Sequence, residues 1–134
     1  MESRRNFVAK VAAGMAATSL MTASNGVIAG EAPILNTFVH HVFFWLKEPE
    51  NQDARKNFEK GLADLVKVPQ IQSYHIGRPV ESPREVVDDS FTYSYMAFFK
   101  SKEDQDIYQT HPIHLKFIDD CQHLWTKVVV YDAM

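Results

Sequence analysis

Tyr108-Gln109-Thr110-His111-Pro112-Ile113-His114 is the stretch on which the reading of this chain turns, because it sets three polar, proton-exchanging side chains around a helix-breaking residue. Proline suits the first position of a helix, where its missing N–H costs nothing. The spacing therefore predicts one helix ending near Thr110 and a second opening at Pro112, with His111 at its mouth and His114 in its first turn. In one continuous helix positions 108 and 114 would point well apart; the break lets them converge.

Outward from this turn the chain alternates between aromatic, β-branched runs and one-faced helical patterns. Phe38–Leu46 is apolar on both faces, with His40 and His41 on opposite sides of a strand. Asn51 or Asp53 can cap a helix to about Val68, in which Ala54, Phe58, Leu62, Leu65 and Val66 form the apolar stripe. Val68-Pro69 stops it. Ile71–Gly77 reads as a second strand, Arg78–Ser90 as a solvated connection, and Phe91–Phe99 as a third strand with Phe91, Tyr93, Tyr95, Ala97 and Phe99 on one face. Ser101 caps the next helix, in which Ile107 and Tyr108 are expected to face inward. The helix from Pro112 to about His123 should bury Leu115, Ile118 and Cys121, and Trp125–Asp132 closes the chain as a strand. The order β-α-β-β-α-α-β predicts an α+β domain of the ferredoxin-like kind: a four-stranded antiparallel sheet with helices on one face. The other face is apolar and needs cover, which predicts a homodimer whose sheets meet as a barrel.

The first residues read differently. Arg4-Arg5 precede an uncharged, weakly apolar run from Val11 to Ile28 that ends in small residues, the pattern of an export signal of twin-arginine (Tat) type cleaved near Ala29. The expected organisation is a signal over 1–29, an extended leader over 30–37 and one domain over 38–132, exported to the periplasm or beyond. Gly14, Thr18, Ser19 and Thr22 interrupt the run too often for a permanent membrane span. The signal holds three of the 14 basic and one of the 17 acidic residues, so 11 basic groups face 16 acidic ones from Gly30 onward. That balance, without any basic cluster, excludes nucleic acid as a partner. Cys121 is the one cysteine of the chain, so the domain has no internal disulfide, and its setting among Ile118 and Leu124 marks a core residue.

His40-His-Val-Phe-Phe-Trp-Leu-Lys47, Val68-Pro-Gln-Ile71, Phe91–Phe99, and Tyr108-x-x-His-Pro-x-His114 followed by Phe117 together resemble the stress-responsive A/B barrel (Dabb) family over about Thr37 to Asp132. The resemblance implies a dimeric α+β barrel with a pocket between sheet and helices. It further implies chemistry without metal or organic cofactor: a similar plant polyketide cyclase carries a tyrosine and a histidine matching Tyr108 and His114, and a pocket histidine matching His40. This chain departs from that relative at Tyr93, where the relative carries histidine.

Two functions follow. One is a binding module for a small apolar or aromatic molecule, lined by His40, Phe44, Phe58, Tyr93, His111 and Phe117. The other is a cofactor-free cyclase, lyase or oxygenase on a polyketide-like or phenolic substrate. In it His114 is the general base, since imidazole titrates nearest neutrality, and Tyr108 donates a hydrogen bond to the enolate. A structural staple, with His111 capping the helix and Tyr108 packing, accounts for the same residues. No histidine spacing matches a known metal-ligand pattern, so no metal site is expected.

Overall fold

The computed structural model describes residues 32–134, and the expected export signal lies outside them. The chain divides between Leu35 and Asn36, and Asn36–Met134 forms a unit of its own. Its elements are β1 (Phe38–Leu46), α1 (Gln52–Leu65), β2 (Ser73–Gly77), β3 (Tyr93–Phe99), α2 (Lys102–Thr110), α3 (Pro112–Cys121), a 3-10 turn (Gln122–Leu124) and β4 (Trp125–Ala133). The strands form one antiparallel sheet in the order β2-β3-β1-β4, the ferredoxin-like arrangement expected from the sequence.

β1 alternates without a break: Phe38, His40, Val42, Phe44 and Leu46 are buried, and the residues between them are half-buried. The buried set faces the helices together with Tyr93, Tyr95, Ala97 and Phe99 of β3. α1 contributes Phe58, Leu62 and Leu65, and α3 contributes Phe117 and Cys121, to the same core. A Cβ on Gly61 would run into Cys121 Sγ, so the bare backbone there is what lets α1 approach α3. The opposite sheet face carries His41, Phe43, Trp45 and Tyr131, with Phe43 and Tyr131 rings 6.2 Å apart.

Local chemistry sets the boundaries. Asn51 caps α1 by accepting from the Asp53 and Ala54 N–H groups at 3.0 and 3.1 Å. The helix ends before Val68 because its last turn tightens into bonds from Lys67 N to Asp64 O and from Val68 N to Leu65 O, ahead of Pro69. β3 starts at Tyr93, not Phe91. The Thr92 hydroxyl takes the Leu46 N–H at 3.0 Å, interrupting the pairing, and Phe91 turns to the open face against Phe43, ring centroids 5.0 Å apart. Ile107 and Leu115, expected inside, are 48% and 51% exposed. The helix phase restarts at Pro112, so α3 buries His114, Phe117 and Cys121, while α2 buries Gln105 and Tyr108.

Candidate functional site

The turn that opens α3 is held by His111. Its backbone is extended, its N–H donates to Tyr108 O at 3.1 Å to close α2, and its Nδ1 accepts from Ile113 N–H at 3.1 Å. With α2 stopped and α3 restarted, Tyr108 and His114 face the sheet side by side, ring centroids 4.8 Å apart. From the sheet, β1 brings the His40 ring to 5.6 Å from that of Tyr108. The β1–β4 register sets Asp132 opposite His40, and His40 Nδ1 donates to Asp132 Oδ1 at 2.6 Å. Tyr95, two residues from Ala97 on the same face of β3, shares a 3.2 Å hydroxyl–hydroxyl bond with Tyr108.

These groups form the polar end of a cavity of about 240 Å³. Val42, Phe44, Leu65, Phe117, Ile118, Trp125, Val128 and Val130 supply its apolar walls, and Gln109 also borders it. Burial shapes the polar end. It lowers the pKa of His114, with the nearby His40 adding to the effect and the Gln109 backbone carbonyl opposing it. Burial also pushes the Tyr95 hydroxyl up to about 12 and raises Tyr108 further, so both phenols stay protonated and His114 is a neutral imidazole at pH 7. His114 Nδ1 is buried and has no hydrogen-bond partner among the described residues.

Of the residues singled out in the sequence, Tyr108, His114, His40, Phe44 and Phe117 come together in this wall. Three others do not. Phe58 is fully buried behind Phe44, ring centroids 4.9 Å apart. Tyr93 turns toward α1, its hydroxyl donating to Glu59 Oε1 at 2.7 Å with the Arg55 guanidinium 5.8 Å from its ring. His111 is spent on the cap. Tyr95 and Asp132 are the polar members that the sequence reading passed over; an acid inside an otherwise β-branched last strand was the available signal. No cluster of three or more metal-binding side chains occurs among the described residues, nor any helix long and apolar enough to cross a membrane.

The profile of the stress-responsive A/B barrel domain matches residues 38–134. The chain belongs to the stress-responsive A/B barrel family. No curated protein matches it. Among solved structures, this A/B barrel chain is similar to an Arabidopsis thaliana protein at 26% identity and a TM-score of 0.62, over 72% of this chain and 93% of that one. It also resembles the hydroxynitrile lyase of Passiflora edulis, at 22% identity and a TM-score of 0.63, over 72% and 91% of the two chains. A third similar structure is a dimeric ferredoxin-like protein of unknown function from Thermobifida fusca, at 15% identity and a TM-score of 0.59, over 72% and 89%.

Proposed function

We propose that this A/B barrel protein binds a small apolar or aromatic molecule in the cavity between sheet and helices. The observation that carries the reading is the division of that cavity into an apolar wall and one polar end built from His40, Tyr108 and His114. Pockets that combine large apolar area with a few convergent polar groups are the usual form of small-molecule sites. Native mass spectrometry of the purified protein tests it: a retained aromatic compound, displaced on denaturation, is the expected result.

A second reading is favoured by the contact between Tyr108 and His114. A neutral imidazole beside a protonated phenol can take a proton from carbon next to a carbonyl while the phenol donates to the enolate oxygen. A cofactor-free lyase, cyclase or oxygenase of this kind fits a fold that also carries a hydroxynitrile lyase. His114→Ala should then abolish turnover while retaining ligand affinity; absence of turnover with every carbonyl substrate offered sinks the catalytic reading and leaves binding.

The open sheet face supports a homodimer, since Phe43, Trp45 and Tyr131 form an apolar surface of the kind that a second copy covers. The Thermobifida fusca protein of the same fold is dimeric. Arg4-Arg5 and the small-residue exit at Ala29 support export of the domain.

A further inference from the structure

The open face of the sheet carries a row of side chains that the cavity does not use. Strand register sets His75 of β2, Met96 of β3, His41 of β1 and Tyr131 of β4 level with one another, and alternation puts all four on this face. Both imidazoles reach toward the next row. His41 Nε2 lies 2.8 Å from the Ser94 hydroxyl, and Ser94 stands opposite Gly77. A Cβ on Gly77 would come within 2.8 Å of the His75 ring, so that ring leans over the bare glycine toward the row of Ser94. His41 also stacks on Phe43, ring centroids 4.2 Å apart. In the single chain His41, Phe43, Ser94 and Met96 are half-buried and His75 is exposed.

An imidazole that an interface buries is a group whose charge the interface opposes. Nothing around His41 matches a positive charge on it. His75 from β2 is a second imidazole, Ser94 and Met96 from β3 are neutral, Tyr131 from β4 is a phenol, and the helices lie on the other face. The remaining charge that acts on His41 is His40, a third imidazole. Asp88 and Lys127 sit toward the other end of the face, beside Trp45. The Ser94 hydroxyl donates to a neutral Nε2 and accepts from a protonated one, so that bond serves either ring state. Resting on the homodimer reading above, we infer that acid dissociates the dimer and that His41 is the group whose protonation does so. Burial first, and His75 second, already hold its pKa below the ordinary 6.5 in the single chain. A second sheet removes more water and lowers it further. Separated chains therefore bind more protons than the dimer as the pH falls through the single-chain value, and association that is tight above that value weakens below it. Two copies take up two protons, so the dissociation constant rises by up to about 100-fold per pH unit in that range.

The test is the dimer dissociation constant of the full chain, measured by sedimentation equilibrium at about pH 7.5 and about pH 5.0, with circular dichroism to follow folding. The expected constant is about tenfold or more larger at the lower pH. In His41→Gln, which keeps a polar group for Ser94 but takes no proton, the ratio should fall toward one, whereas His123→Gln, at an exposed histidine of the 3-10 turn, should keep it. A dimer equally tight at both pH values, or an undiminished ratio in folded His41→Gln, overturns the switch and leaves the homodimer reading standing. A chain that is monomeric at the higher pH removes both. The natural chain supplies a second readout that needs no variant. The His41 ring titration, followed by NMR, should move to higher pH on dilution from dimer to monomer, and a midpoint independent of concentration overturns the proposal.

Discussion

His114 lies in the cavity wall with its charged form disfavoured, and this has a consequence for stability. Its folded pKa is below the ordinary 6.5 because burial penalises the imidazolium, and His41 on the open sheet face is lowered for the same first reason. Unfolded, both rings take protons as the pH falls through 6.5; folded, they resist until lower pH. The unfolded state thus binds more protons in that window, and stability present above pH 6.5 is lost as the pH falls. The thermal midpoint should be lower at pH 5.5 than at 7.5, with a shallower slope in His114→Phe; an unchanged slope in that variant contradicts the assignment. Asp132 makes the complementary case. Its carboxylate is about half exposed and holds the buried His40, so Asp132→Asn should cost about 1 kcal/mol in urea unfolding, screening having discounted the pair. That partnership was not legible in the chain. His40 and Asp132 are 92 residues apart, and local patterns carry strand identity but not the register that pairs them.

The elements were more legible than their phases. Ser101 as the cap of α2, Pro112 as the start of α3 and the alternation of β1 all follow from short-range chemistry, and each stands where the sequence put it. Ile107 and Leu115 escaped because apolar character alone does not say which way a short helix turns after a break. Phe91 escaped because a single threonine hydroxyl replaced a strand bond. The packing of α1 on α3 at Gly61 gives an element-scale test. Gly61→Ala gains helix propensity of about 1 kcal/mol yet forces a methyl into Cys121 Sγ, an overpacking cost of about 1–3 kcal/mol. A net loss of stability is expected, and Cys121→Ala in the same chain should restore it. A stabilised single variant would show that the helices separate freely there.

For the whole molecule, the ferredoxin-like sheet leaves one face lined by helices and the other by half-buried aromatics. A second copy on that face would complete the barrel implied by the family's name. Light scattering should give about twice the 15.4 kDa chain mass, less the signal if it is cleaved. Phe43→Asp should drive the protein toward monomer. A stable monomer of the natural chain at micromolar concentration would remove the face-to-face pairing, without touching the cavity on the other side of the sheet.

The cavity is the centre of the account, and a crystal structure grown with 4-methylphenol examines it directly. The expected result is a ring seated in the cavity against the wall formed by Phe44, Phe117 and Trp125. A ring bound only elsewhere, with this cavity vacant at saturating ligand, would contradict it.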